Sequence, residues 1–262
     1  MNITWEGTNT LRIEAAGEKL LIDPFVELRG GSNPNALSDF MDADTVLITH
    51  GHFDHLVFVT ELLTGGDMTV YCSKTPAETL EEYTDGTEGT DQVAVIRPGM
   101  TIPFGKVLVR VLRGKHIRFD AKLIAQTLLS PRMVRYGANL PFLFWAARHF
   151  PEQAETLVYE LEAEGKRIQI LGSLGLHPEE TYRPGADLLI MPFQGKRNAL
   201  LVQEADRVIR ALAPKRILLS HFDDAFPPIS TDVDLRGLKR LLKEKYPGIP
   251  TVKPTAGRPV RL

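Results

Sequence analysis

The sequence is short of cysteine, of long apolar runs and of charge of one sign, and each shortage narrows what it can encode. Cys72 is the single cysteine, so neither an intramolecular disulfide nor a cysteine-based zinc module can be built. Such a chain suits a reducing compartment, and the expected location is the cytoplasm. The longest apolar stretch, Leu140 to Ala147, falls well below the roughly 20 residues that span a bilayer. No basic segment followed by an apolar one opens the chain, so neither a secretory leader nor an integral membrane segment is expected. Lysine and arginine number 31 against 33 aspartate and glutamate, a formal net charge of -2 with no long run of one sign. That balance disfavours a nucleic-acid partner, which calls for a basic stripe, and a polybasic membrane anchor. A small-molecule substrate is the expected partner. What is present is ordinary for a folded domain: 262 residues, 43% hydrophobic and 24% charged. This predicts a single domain over residues 1–262 with a sizeable core.

Strand signals dominate the first half. Met1 to Trp5 is strand-like, Thr10 to Glu14 alternates, and Lys19 to Ile22 runs apolar into Asp23-Pro24. Thr45 to Thr49 is a short apolar run that stops at His50, as expected of a strand buried on both faces. Met68 to Cys72, Val93 to Ile96 and Val107 to Leu112 are further strands. Thr75 is the expected cap of a helix with Pro76 in its first position. Thr156 to Glu162 and Arg167 to Leu171 read as a hairpin. Ala186 to Met191 and Arg216 to Ser220 are two more strands. Leu200 to Leu212 has helical spacing, and another helix after Thr231-Asp232 sets Leu235, Leu238, Leu241 and Leu242 on one face. Residues 118–151 break the pattern and read as a helical insertion, interrupted at Pro131, Gly137 and Pro141.

The chemistry concentrates in His50-Gly51-His52-Phe53-Asp54-His55, three histidines and an aspartate within six residues. In a turn leaving a strand, positions one and three point to the same side, so His50 and His52 can share one metal. Asp54 and His55 project differently and can reach a second ion nearby. Neutral imidazoles with a carboxylate suit zinc, with manganese or iron as alternatives. Two such ions can share a water and lower its pKa. A polar loop of hydrogen-bonded histidines is the bland alternative, disfavoured by so specific a motif at a strand end.

Thr49-His50-Gly51-His52-Phe53-Asp54-His55-Leu56 resembles the signature of the metallo-β-lactamase superfamily. Leu20-Leu21-Ile22-Asp23-Pro24-Phe25 is similar to the early strand of its branch containing L-ascorbate-6-phosphate lactonase and N-acylphosphatidylethanolamine phospholipase D. Lys115-His116 and Leu218-Leu219-Ser220-His221-Phe222-Asp223 fall where that family has its later histidines. The resemblance implies a four-layer αββα sandwich, two mixed β-sheets with outer helices and a metal site at the sheet edge. It implies that His50, His52 and His116 hold one metal and that Asp54, His55 and His221 hold a second. For His116 and His221 the alternative is a satisfied structural histidine. Asp23 is expected to orient a ligand histidine or to be a turn residue before Pro24.

One position departs from the family. Ile170-Leu171-Gly172-Ser173-Leu174-Gly175 carries Ser173 where the family has an aspartate bridging both metals. A hydroxyl adds no negative charge, so the second metal should bind weakly or be absent. Asp223, Asp224 or His177 could compensate. Substrate signals are thinner. Lys196 or Arg197 could meet an anionic group, or be a solvated helix start. Phe142, Phe144 and Trp145 could cap the site, or be core, or form a face between copies of the chain in a homo-oligomer. His149 is assigned no role. The leading expectation is hydrolysis of an ester, lactone or phosphodiester by metal-activated water, with Asp54 as the catalytic group that orients it. The alternative is a metal-binding protein with reduced or no turnover, its bridging carboxylate lost to Ser173. A nuclease and an iron oxidoreductase rank below both.

Overall fold

The computed structural model describes residues 1–84, 90–117, 121–151 and 155–262. In chain order the first strands are β1 (Asn2–Trp5), β2 (Leu11–Ala15), β3 (Glu18–Ile22), β4 (Thr45–Leu47), β5 (Thr69–Cys72), β6 (Val93–Val95) and β7 (Thr101–Phe104). The rest are β8 (Val107–Gly114), β9 (Thr156–Ala163), β10 (Lys166–Leu171), β11 (Leu188–Pro192), β12 (Ile217–Ser220), β13 (Thr251–Val252) and β14 (Pro259–Arg261). The α-helices are α1 (Phe53–Leu56), α2 (Val59–Gly65), α3 (Lys74–Tyr83), α4 (Ala121–Leu128), α5 (Arg132–Arg135), α6 (Leu140–His149), α7 (Asn198–Leu212) and α8 (Arg236–Lys245).

One sheet has the order β14-β1-β2-β3-β4-β5-β6, the other β13-β12-β11-β10-β9-β8-β7. Pairing is parallel from β3 to β6 and from β10 to β13, and antiparallel elsewhere. Both sheets are therefore mixed. Successive strand residues face opposite ways, and β3 shows the consequence. Leu20 and Ile22 enter the core that joins the two sheets, whereas Leu21 enters a second core under helices. On β4, Leu47 faces the other sheet, and Val46 turns toward the helices. With both faces covered, these strands read as continuous apolar runs. Side chains of α1, α2, α3 and α6 fill the core on the first sheet. Leu201, Ala205, Val208, Ile209 and Leu212 of α7, with Leu238, Leu241 and Leu242 of α8, pack with the second. The layers are helix, sheet, sheet, helix, as the resemblance implies.

Local differences have physical reasons. Helix α3 starts at Lys74 with Ser73 in the cap position, so Thr75 and Pro76 lie inside its first turn. That turn tolerates proline because its N–H groups have no partner within the helix. For the same reason Pro141 opens α6 and does not interrupt it. Strands β7, β13 and β14 go unmarked in sequence; β13 and β14 are edge strands of two and three residues.

The topology sends several strand ends to one edge. Asp23 follows β3, Thr49 and His50 follow β4, His116 follows β8, Ser173 follows β10, and His221 follows β12. Carboxyl ends of parallel strands are where open sheets place ligands. Three contacts between the sheets fix this edge. Tyr159 on β9 donates its hydroxyl to Ile48 O at 2.5 Å, and Leu157 N donates to Thr49 O at 2.8 Å. Gly172 lies so close that a Cβ there would sit 2.6 Å from Thr49 Cβ, so no larger residue fits.

Trp5 secures the His221 side. Its ring stacks on Phe222 with centroids 4.8 Å apart, and its Nε1 donates to Thr8 O at 2.7 Å. The same carbonyl accepts His221 N at 2.6 Å. Trp5→Phe is expected to cost about 1 kcal/mol through the lost hydrogen bond. Trp5→Ala should cost about 3–5 kcal/mol through the cavity it leaves. Urea unfolding of the metal-free protein measures both, and equal costs would contradict this division.

Candidate metal centre

His52 stands in the N-cap position of α1, and the single turn of that helix carries Asp54 and His55. His52 itself is extended and the chain is helical after it, which turns Asp54 and His55 away from His50 and His52. Two clusters result. His50, His52 and His116 bring ligand atoms within 4.8 Å of one another, and so do Asp54, His55 and His221. The two touch, since the rings of His50 and His55 have centroids 4.0 Å apart.

Within the first cluster His50 Nε2 meets His52 Nδ1 at 3.2 Å, and the His116 ring lies 4.5 Å from that of His52. Within the second, Asp54 Oδ2 lies 3.0 Å from His221 Nε2 and 3.6 Å from His55 Nε2. His221 is held in the left-handed backbone region, with φ of 53°.

Asp23 sets the tautomers. It is fully buried, and its Oδ2 meets His55 Nδ1 at 2.7 Å and Thr49 Oγ1 at 2.6 Å. A carboxylate only accepts, so His55 Nδ1 carries hydrogen and leaves Nε2 bare toward Asp54 when the ring is neutral. The Thr49 hydroxyl also gives its hydrogen to Asp23. Its lone pair therefore accepts from His50 Nδ1, 3.0 Å away, and His50 Nε2 is left bare toward His52. Asn9 Nδ2 and Thr49 N complete the shell of donors on this carboxylate.

The electrostatics suit a cation. Burial, with neighbouring histidines, pushes His50 well below its ordinary pKa, and burial pushes His52 down to about 4. Both are neutral near pH 7, with lone pairs available. Burial alone would raise Asp54, but His55 and His221 hold it well below the usual carboxylate range. Burial alone would lower His55, but Asp23 and Asp54 raise it above its ordinary value. A cation entering the second cluster would displace that proton.

The sequence of the β-lactamase superfamily domain matches residues 18–222. The chain belongs to that family. A metal-dependent hydrolase of Methanopyrus kandleri is 26% identical over 245 residues, covering 88% of each chain. Igni18, a metallo hydrolase of Ignicoccus hospitalis, shares the fold with a TM-score of 0.65 at 15% identity over 99% of this chain and 97% of its own. The metallo-β-lactamase fold protein YhfI of Bacillus subtilis does so with a TM-score of 0.60 at 15% identity, over 99% and 98%. The family places the chain among metal-dependent hydrolases of the metallo-β-lactamase fold. In the described residues no helix is long and apolar enough to cross a membrane.

The structure brings all six residues expected as ligands to this β-lactamase-superfamily centre, and Asp23 to His55. It corrects other expectations. Asp223 accepts from Thr8 N at 3.0 Å and Asn33 Nδ2 at 3.1 Å, and Asp224 pairs with Arg132 at 2.5 Å. His177 accepts from Glu179 N at 3.3 Å. None of the three lines the cavity over the centre, so none replaces a bridging carboxylate. Ser173 does line it, and its Oγ accepts Ile117 N at 3.1 Å, which ties it to the segment bearing His116. Lys196 is engaged by Glu204 at 3.1 Å, and exposed Arg197 stands at the N-cap position of α7, the helix-start alternative. Phe142 stacks on Phe58, Trp145 packs on Tyr83 and Phe150, and Phe144 is 68% exposed, so none of these aromatics caps the site. The cap comes instead from Leu123, Thr127, Ala147 and Phe150 of the same helical segment. In sequence no role is assigned to Thr49, although it opens the motif, or to Asn9, which lies outside any motif.

Asp23→Asn keeps the shape but removes the acceptor that orders both histidines. Zinc affinity is expected to fall about 10- to 100-fold, measured by competition with a chromophoric chelator. Unchanged affinity would contradict the relay. Beside the centre, Glu27 is pushed up to about 8 from 4.5, by burial first and by adjacent Asp223. The folded chain therefore holds a proton that the unfolded chain releases. The stability linked to Glu27 is full below about pH 4.5 and lost as pH rises through about 8. Thermal melts should show the wild type losing stability between about pH 4.5 and 8, and Glu27→Gln losing less. Parallel losses would refute it.

Proposed function

We propose that this chain hydrolyses an ester, lactone or phosphodiester bond of a small molecule with water activated at this centre. His50, His52 and His116 would hold one divalent ion, zinc first among the candidates. Asp54, His55 and His221 offer a second position. The observation that carries the proposal is the convergence of these two ligand clusters beneath one cavity of about 350 Å³. The donor set fits a cation, because His50 Nε2 and His55 Nε2 present lone pairs fixed by the Asp23 relay. When bound, the ion would supply Lewis acidity that makes water a nucleophile near neutral pH and polarises the scissile oxygen.

The side chains divide the remaining tasks. Asp54, ionised well below neutral pH, accepts a hydrogen bond from water and aligns it. His50 and His52 stay neutral and keep their lone pairs on the centre. His55, tied to Asp23 through Nδ1, keeps its Nε2 turned toward Asp54. The apolar wall over the cavity lowers the local dielectric, which strengthens each of these interactions.

Ser173 supports the second reading, a metal-binding protein with reduced or no turnover. It leaves Asp54 the sole carboxylate among the described residues lining the cavity. One carboxylate offsets little of the charge of two dications, so binding of a second ion is weak in either reading.

Metal per chain, measured by elemental analysis in wild type and Ser173→Asp, tests this together with hydrolysis of p-nitrophenyl acetate and bis-p-nitrophenyl phosphate. About one ion in wild type and two in the variant are expected, with turnover that chelator abolishes. Asp54→Asn should lower kcat/KM by about 10²- to 10⁴-fold. Metal-free protein after purification without chelator would refute the proposal, and metal with no turnover would favour the binding protein.

A further inference from the structure

The walls of the cavity say more about the substrate than its floor does. A volume of about 350 Å³ is near the lower end for small-molecule sites. Above the ligand clusters the walls are Leu123 and Thr127 of α4, Ala147 of α6 with Phe150 just after it, and Phe226 and Ile229 of the loop after β12. Ile229 is 43% exposed, so this face is open enough to receive a ligand.

Three of the polar side chains on the walls are held by protein partners. Thr127 Oγ1 donates to Leu123 O at 2.9 Å. Gln194 Nε2 donates to Asp223 O at 2.8 Å and to Thr231 O at 3.2 Å. Ser230 Oγ donates to Asp224 Oδ1 at 2.8 Å and accepts from Phe226 N at 2.7 Å. Among the described residues, no lysine or arginine lines the cavity. Two nearby cations are engaged elsewhere, Lys196 with Glu204 and Arg132 with Asp224.

We infer, resting on the hydrolase reading above, that the substrate is a small uncharged carboxylic ester or lactone whose hydrocarbon arm lies against the α4–α6 wall. A charged arm would lose water there without gaining a partner, which is costly. A hydrocarbon arm gains by the same transfer. The choice of bond follows from charge. A phosphodiester is anionic before reaction and calls for cationic side chains beside the ion. A carboxylic ester becomes anionic only in the transition state, at the single oxygen facing the centre. In the reaction the water oxygen bonds to the carbonyl carbon, the bond to the leaving oxygen breaks, and that oxygen takes the water's proton. The products are an acid and an alcohol, or a hydroxy acid from a lactone.

The test compares p-nitrophenyl acetate, butyrate and hexanoate with bis-p-nitrophenyl phosphate on zinc-loaded protein. A second readout is calorimetric binding of hexanamide and acetamide to the metal-free protein. The expected kcat/KM rises about three- to fourfold per methylene, and exceeds that for the phosphodiester. Hexanamide should bind more tightly than acetamide by a similar factor per methylene. Leu123→Gln should flatten both series, and Ala147→Phe, which narrows the wall, serves as the second variant. Turnover with a flat series, or a preference for the phosphodiester, overturns this inference and leaves the hydrolase reading standing. No turnover of any probe sinks both.

Discussion

The centre depends on the buried carboxylate of Asp23. It accepts from His55 directly and from His50 through the Thr49 hydroxyl, and so decides which ring nitrogen of each histidine faces inward. Asn9 reaches the same carboxylate and also accepts from Ser220 Oγ, next to His221 in the chain. One charge thus coordinates residues that follow three different strands. Asp23 itself is held with φ of 45°, a backbone region unfavourable for most side chains. Strain of that kind persists only where the surroundings fix the residue. Here they do so with hydrogen bonds from Asn9 and from Thr49.

The sandwich makes that coordination feasible. Each sheet contributes strands whose ends meet at one edge, and Tyr159, Leu157 and Gly172 lock the two sheets together beside His50. The ligands come from short segments leaving rigid strands, so their positions are set by two packed cores. Helices α4 and α6, between β8 and β9, then roof the centre with apolar side chains. The division is physical: strand ends fix the charged chemistry, and the helical roof fixes the dielectric and the shape around it.

Much of this was legible in sequence because its signals are local. The apolar runs of β3 and β4 are continuous because both faces of those strands are covered. The dense motif from His50 to His55 announces metal chemistry by residue type and spacing alone. The short edge strands β13 and β14 were not legible, because two or three residues carry no periodicity. The start of α3 was misplaced by the favourable Thr75-Pro76 pair, since proline fits anywhere in a first turn. The aromatic run at Phe142 to Trp145 left a cap over the site, core or a face between copies open in sequence; in the fold Phe142 and Trp145 pack on neighbouring rings and Phe144 faces solvent.

The sequence by itself determined the family through residues that resemble its signature, and that resemblance implied the layered architecture and the six candidate ligands, because motif and residue type are properties of the chain. Only the tertiary structure decided which groups serve those ligands and what surrounds them. Thr49 links His50 to Asp23 by hydrogen bonds because Asp23 lies across from it. Asp223, Asp224 and His177 were excluded as substitutes for the missing carboxylate because none of their side chains lines the cavity and each is held by other partners. The apolar roof came from Leu123, Ala147 and Phe150, which meet over the centre only when α4 and α6 pack there. Such roles belong to distances between residues far apart in the chain, and those are set by packing.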